Sequence, residues 1–270
     1  MRRLFLYNDI FCSKNEGEGR VFIYFSVGTH YQSSVIYKDM MIGVMDSGIG
    51  GLHVLASLIK HRCGDRYLYL ADGANLPYGE KSPSELREIA WRGACALVDR
   101  GADVIVFGCN TLSVVALDHV RKRVTPPVFG LLPRPDLCAG RSLMMTTPAT
   151  ALFLPKLESN VSLLTPLSLA SLIDGAYPDE RRMREYLRPL LLPYRDSETV
   201  YLGCSHYLYV ESIVKESIPR ARILNGVDLL AGLVAAILPS RGSRNPCVDF
   251  LFTGREEQER YCSLLAELLG

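Results

Sequence analysis

From residue 41 onward the chain alternates between two kinds of hydrophobic run. Short, largely apolar stretches at 41–45, 67–71, 103–107, 142–146, 199–203, 221–224 and 248–253 are rich in Val, Ile, Leu, Met and Tyr. Continuous runs of that length predict strands buried on both faces, as in parallel sheets. Between them, apolar residues recur at helical spacing: Leu52, Leu55, Leu58 and Ile59; Leu86, Ile89, Ala90, Ala94 and Leu97; Leu112, Val115, Ala116 and Val120; Val210, Ile213 and Val214. Ser82-Pro83-Ser84-Glu85 supplies a cap and a first-turn proline for the second of these helices. An apolar helix is expected over 228–238 and a last one up to Gly270, whereas 171–180 reads as an acidic, solvated loop. Strand–helix alternation predicts an α/β fold with mostly parallel sheets flanked by helices.

Two places break the monotony. Asp103-Val-Ile-Val-Phe-Gly-Cys109-Asn110-Thr111 runs from apolar strand through Gly-Cys into a helical pattern. Thr199-Val-Tyr-Leu-Gly-Cys204-Ser205-His206 does the same about 95 residues later. A buried cysteine at a strand end is ordinary, because the thiol packs as a small hydrophobe. Two in equivalent settings ask for another explanation, since a strand-to-helix junction offers free N–H groups and a favourable helix dipole to a thiolate. A second pair of turns matches as well. Asp46-Ser47-Gly48-Ile49-Gly50-Gly51 and Thr147-Pro148-Ala149-Thr150 each stand about sixty residues before a Gly-Cys turn. The chain therefore reads as two pseudo-symmetric domains, 41–136 plus 229–270 and 137–228, with one thiol on each wall of an interdomain cleft.

Composition removes several function classes. The 270 residues carry a net charge of +1 and are 48% hydrophobic. Such a balance leaves no electrostatic footprint for nucleic acid or membrane, and no apolar run approaches the ~20 residues of a membrane span. The eight cysteines are scattered without a C-x-x-C pair, which fits neither a zinc site nor a disulfide framework and makes a reduced, cytoplasmic protein the default expectation. Residues 1–40 lack sustained periodicity, and the tandem Met40-Met41 precedes the first strong strand. The leader is expected to be an extension, disordered or a misassigned start, with an extra hairpin around 21–26 as the alternative. The glycines of 48–51 also allow a dinucleotide reading with Asp72 on a ribose, but the third glycine position falls on His53, and Asp46 puts negative charge where a pyrophosphate would lie.

Two opposed thiols suit one chemistry in particular. One thiolate removes a proton from a carbon centre while the opposite thiol delivers another to the far face, so the centre inverts. The carbanion needs fixed donors, each capable of supplying roughly 2.7–4 kcal/mol. Ser47, Asn110, Thr111, Thr147, Thr150 and Ser205 are placed to provide them, and Asp46 and His206 adjoin the turns, suited to setting a thiol's protonation state or holding a substrate ammonium.

With those residues in view, the series Ile42-Gly-Val-Met-Asp-Ser-Gly-Ile-Gly-Gly-Leu52, Asn75-Leu-Pro-Tyr-Gly79, Gly108-Cys-Asn-Thr111, Thr147-Pro-Ala-Thr150 and Gly203-Cys-Ser-His-Tyr207 resembles the motifs of glutamate racemase in order and spacing. Phe252-Thr-Gly254 resembles that family's last strand, and the likeness covers about residues 41–270. The resemblance implies racemisation of L- and D-glutamate for peptidoglycan without cofactor or metal, usually by a homodimer. It also implies that Cys109 and Cys204 are the two proton donor/acceptors, supported by Asp46 and His206. Substrate contacts would come from Asp46, Ser47, Tyr78, Gly79, Asn110, Thr111, Thr147, Thr150, Ser205 and His206.

Against the usual motif pattern, Ser205 stands in place of Thr, Leu208 in place of Pro, and Gly73 in place of a hydroxyl residue. Leu132-Pro-Arg-Pro135 lacks an acidic residue, and Asp174 stands for Glu, so a supporting carboxylate is expected to reach one methylene short. An aspartate racemase of the same superfamily and a non-catalytic amino-acid-binding homologue are the alternatives. A one-cysteine decarboxylase relative is disfavoured by Cys204.

Overall fold

The computed structural model describes residues 10–15, 20–27, 30–36, 40–238, 242–243 and 246–270. In the leader, strands β1 (Ile10–Asn15), β2 (Arg20–Val27) and β3 (His30–Ile36) pair antiparallel in that order, and the strand-like stretch 21–26 lies within β2. The main body holds two parallel sheets. The larger has the order β12-β5-β4-β6-β7, built from β4 (Met41–Asp46), β5 (Arg66–Ala71), β6 (Val104–Phe107), β7 (Val128–Gly130) and β12 (Cys247–Phe252). The smaller has the order β11-β10-β8-β9, built from β8 (Ser142–Thr146), β9 (Val161–Leu164), β10 (Thr199–Gly203) and β11 (Arg222–Leu224).

Alternation along the strands splits the core as a pleated sheet requires. Ile42 and Val44, Tyr67 and Tyr69, and Val104 and Val106 point to one face of the larger sheet, under α1 (Leu52–Lys60), α8 (Val227–Ile237) and α9 (Gln258–Leu269). Met41 and Met45, Leu68 and Leu70, and Ile105 and Phe107 point to the other, under α2 (Pro83–Val98) and α3 (Asn110–Arg121). Ser82 caps α2 in a full capping box with Glu85, a device that contributes about 1 kcal/mol. The smaller sheet carries α4 (Pro148–Ala151), α5 (Leu169–Ala176), α6 (Glu180–Leu191) and α7 (Glu211–Ser217). Among the described residues no helix is long and apolar enough to cross a membrane.

Two expectations need correction. The stretch 171–180 is not a loop: α5 spans most of it, with Leu169 and Ile173 one turn apart and both buried. Its brevity, Gly175 and the Tyr177-Pro178 stop hide the helical period. Asp179 and Glu180 likewise open α6, where the Asp179 carboxylate accepts from the Arg181 N–H at 3.2 Å and Glu180 pairs with Arg184 at 2.7 Å. The second correction concerns Cys204. It leads into a 3-10 turn over Ser205–Val210 before α7 begins, not directly into an α-helix.

Candidate active site

The site forms where the C-terminal ends of β4, β5 and β6 meet those of β8 and β10, the position open α/β sheets use for ligands. Cys109 follows β6 and is the N-cap of α3, without a side-chain capping bond; the nearby N–H groups of Leu112 and Thr111 work against the rise that burial imposes on its thiol. Cys204 ends β10. Each thiol is almost sealed from solvent, Cys109 at 4% exposure and Cys204 at 3%. They lie near enough that charge on Cys204 pushes up the Cys109 thiol, after the larger effects of burial and of Asp46. Cys109 is thereby held protonated.

Three polar groups tie the two sheets together beside the thiols. The Asp46 carboxylate accepts from the Gly48 N–H and from the Ser205 hydroxyl, both at 3.0 Å. Asp174 accepts from the Ile49 N–H at 2.8 Å and lies 3.2 Å from Nε2 of His206. His206 reaches back to hydrogen-bond Cys204. Burial alone would discharge this imidazole, but its bonds to Asp174 and Cys204 and the charge of Asp46 outweigh that and hold it well above the usual histidine range. Burial also works to raise Asp174, but His206 overcomes it and keeps that carboxyl low. For Asp46 burial wins over the neighbouring imidazolium, and the carboxyl moves up. Asp174 therefore reaches its partner despite being one methylene shorter than Glu; the expected shortfall is overturned because Gly48 and Gly50 let the turn close in. A Cβ at Gly48 would overlap the Asp174 carboxyl, and one at Gly50 would lie 2.5 Å from Nδ1 of His206 and 2.6 Å from the Ser205 hydroxyl. The glycine-rich turn thus brings its N–H groups to the protein's own carboxylates.

On the Cys109 side, the hydroxyls of Thr111, Thr147 and Thr150 form a closed triangle with edges of 2.9, 3.0 and 2.9 Å. Asn110 donates Nδ2–H to the Leu131 carbonyl at 3.0 Å, which leaves its buried Oδ1 without a partner. Such an orphaned acceptor is costly unless something fills it. Tyr78 is buried with its hydroxyl on Asp72 at 2.7 Å, Gly79 abuts Thr147, and Ser47 is buried beside Asp46. Of the twelve residues picked out from the sequence, hydrogen bonds, close approach or charge coupling join Asp46, Ser205, His206, Cys204, Cys109, Thr111, Thr147, Thr150, Tyr78 and Gly79; Asn110 follows Cys109 but turns its amide to Leu131, and Ser47 adjoins Asp46 in sequence. Asp174, which the sequence offers only as a shortened supporting carboxylate, and Asp72, which it offers only as a ribose acid, both belong to the network. Tyr209, whose hydroxyl donates to the Ile49 carbonyl at 3.1 Å, gave no signal in the sequence. Cys63, by contrast, is packed away with its thiol pushed up to about 12 by burial. Among the described residues no cluster of His, Cys, Asp and Glu is arranged to hold a metal.

The line Cys204–His206–Asp174 has the parts of a nucleophilic triad, but a second thiol and a second carboxylate face it. Two buried thiols enclosed between two sheets, with hydroxyl and amide groups around them, suit one class: an isomerase that inverts a carbon centre, an amino-acid racemase. No family model matches the chain. Its sequence is 32% identical over 254 residues to a glutamate racemase of Leptospira interrogans, covering 86% of this chain and 98% of the relative. The solved glutamate racemase of Thermus thermophilus, in complex with beta-chloro-D-alanine, superposes with a TM-score of 0.67 at 29% identity, covering 86% of this chain and 93% of that one. At 20% identity the Campylobacter jejuni glutamate racemase, with a TM-score of 0.73 over 85% of this chain and 98% of its own, agrees in fold. This chain belongs to the glutamate racemase family.

Proposed function

We propose that the protein interconverts L- and D-glutamate by two-base proton transfer between Cys109 and Cys204, without a cofactor. In one direction the thiolate of one cysteine takes the α-proton and the thiol of the other gives its proton to the opposite face. The product leaves with inverted configuration, and the two sulfurs have exchanged protonation states. The reverse reaction swaps the roles. His206, bonded to both Cys204 and Asp174, passes or holds a proton at that sulfur; Asp46 does the corresponding work beside Cys109. Asn110 offers its orphaned Oδ1 to the substrate ammonium. Ser47, Tyr78, Gly79, Thr111, Thr147, Thr150 and Ser205 bind the carboxylates and share the negative charge that develops on the carbanion.

The observation that carries this reading is that Cys109 and Cys204, from equivalent strand ends of separate sheets, are both buried and near enough for the charge of one to act on the other. The lobes we assign are 41–136 with 229–270, and 137–228, α8 starting just before the second junction. They part to admit substrate and close to exclude water. D-glutamate so formed supplies peptidoglycan synthesis in the cytoplasm, where both thiols stay reduced, and the working form is a homodimer.

The test is polarimetric. Purified protein given L-glutamate alone, with no added cofactor or metal, is expected to drive the optical signal to zero, and the same from D-glutamate. Faster turnover of aspartate would mark the enzyme as an aspartate racemase. Binding of glutamate with a constant optical signal would mark a non-catalytic homologue.

A further inference from the structure

Behind the Cys109 wall lies a carboxylate that touches neither thiol. Asp72 closes β5 and is 3% exposed. Its backbone N–H donates to the Asp46 carbonyl at 2.9 Å, which locks the ends of β4 and β5 together. Its side chain collects three donors from two segments, the 73–78 loop and the end of β12. Asn75 Nδ2 reaches both carboxylate oxygens at 3.0 Å. The Tyr78 hydroxyl donates to Oδ2 at 2.7 Å. The third donor is the hydroxyl of Thr253, which comes from beyond the end of β12 and bonds Oδ1.

Thr253 is itself fixed on every side. Its N–H donates to the Ala71 carbonyl at 3.0 Å, and the Ala74 N–H donates to its carbonyl at 3.0 Å and to its hydroxyl oxygen at 3.3 Å. One hydroxyl thus accepts from the backbone on one side and donates its single proton to Asp72 on the other. The next residue, Gly254, has φ +84, a left-handed backbone that sets the turn. A Cβ at Gly73 would sit 3.3 Å from the Thr253 carbonyl oxygen, a tight contact. At the other end of the chain of contacts, Tyr78 is buried in the same apolar cluster as Cys109. Its phenol is pushed up by burial first, then by Asp72 and by the nearness of Cys109.

We propose that Thr253 is a positioning residue for the Cys109 half of the site, its hydroxyl fixing Asp72 so that Asp72 holds the Tyr78 ring against the thiol. The proposal rests on the two-thiol racemase reading for its kinetic consequence, but its structural consequence stands without turnover. Losing the hydroxyl leaves Asp72 held by the 73–78 loop alone, and Tyr78 and the adjoining Gly79 gain freedom together. A displacement of this kind away from the reacting atoms lowers the rate of the proton step more than it weakens binding.

The experiment compares the full chain with Thr253→Val, which keeps the shape and loses the hydroxyl, and Thr253→Ser, which keeps the hydroxyl. Two readouts are taken: kcat and KM for glutamate, and the rate at which iodoacetamide alkylates Cys109, followed by mass spectrometry of its peptide. Thr253→Val is expected to lower kcat by about tenfold to a hundredfold with KM little changed, and to speed alkylation of Cys109 several-fold. Thr253→Ser is expected to restore both. If Thr253→Val fails to fold, Thr253→Ala against Thr253→Ser makes the same comparison. Wild-type values of both readouts in the hydroxyl-free variant, or damage in Thr253→Ser equal to that in Thr253→Val, would overturn the proposal. A wild-type chain that folds but does not racemise refutes the racemase reading instead, and the alkylation rates alone then decide the role of Thr253.

Discussion

The two Gly-Cys turns look alike in sequence and differ in what supports the sulfur. Cys109 is the N-cap of an α-helix with the N–H groups of Leu112 and Thr111 nearby; burial and the Asp46 carboxylate keep its proton on. Cys204 opens a 3-10 turn, and the second residue of that turn, His206, folds back onto the sulfur with Asp174 behind it. One wall therefore presents a thiol that keeps its proton, and the other a thiol with a charged proton partner. A racemase needs one acid and one base at the start of each turnover, so an asymmetric pair suits the task better than two identical ones. Equivalent strand ends supply the geometry, and the differing turns supply the chemistry.

Substitutions at the two walls probe that contrast. Cys109→Ser and Cys204→Ser are expected to have the largest effect, each slowing racemisation by about three orders of magnitude or more, measured polarimetrically; a mild effect of either would break the pairing. His206→Asn strikes the Cys204 wall first and is expected to lower kcat by about a hundredfold. It also alters the dependence of stability on pH. In the folded chain His206 titrates well above 6.5, whereas unfolded it titrates near 6.5. Between those values the native state binds the extra proton, so its contribution to stability is full below pH 6.5 and is lost as pH rises through the folded value. Denaturant midpoints should thus fall with rising pH in the wild type over that window, and fall less in His206→Asn.

Smaller effects test how the walls are held together. Gly50→Ala puts a methyl 2.5–2.7 Å from the ring nitrogen and backbone of His206 and from the Ser205 hydroxyl. It should cost about 1–3 kcal/mol of stability, read from chemical denaturation, and impair the Cys204 wall first. Thr150→Val removes one corner of the hydroxyl triangle on the Cys109 side. About 1 kcal/mol of stability should be lost, together with a rise in KM for glutamate.

Much of this arrangement is legible in the amino-acid sequence. Runs such as 103–107 and 199–203 are apolar on both faces because both sheet faces are covered, and a Gly-Cys turn marks each end. Local chemistry of that kind is visible to a reader of sequence. Contacts between distant segments are not. Nothing around Asp174 signals that a short helix, α5, carries it 2.8 Å from the Ile49 N–H. Nothing in Gly48 and Gly50 says whether their N–H groups serve a ligand or the protein's own carboxylates. Likewise Thr253 stands about 180 positions from Asp72, and only the pairing of β12 with β5 brings them together. The twelve candidate residues are legible as types at strand ends and in the 75–79 loop; the bonds that orient them depend on tertiary packing.

The sharpest test of two thiols acting on opposite faces is a single turnover of each glutamate enantiomer in D2O, with the α-position of substrate and product followed by proton NMR. Inverted product should carry solvent deuterium at the α-carbon from its first appearance, while the remaining substrate keeps its protium. Inverted product that retains the substrate's own α-proton would show a single group working both faces, and would contradict the assignment of Cys109 and Cys204 as a pair.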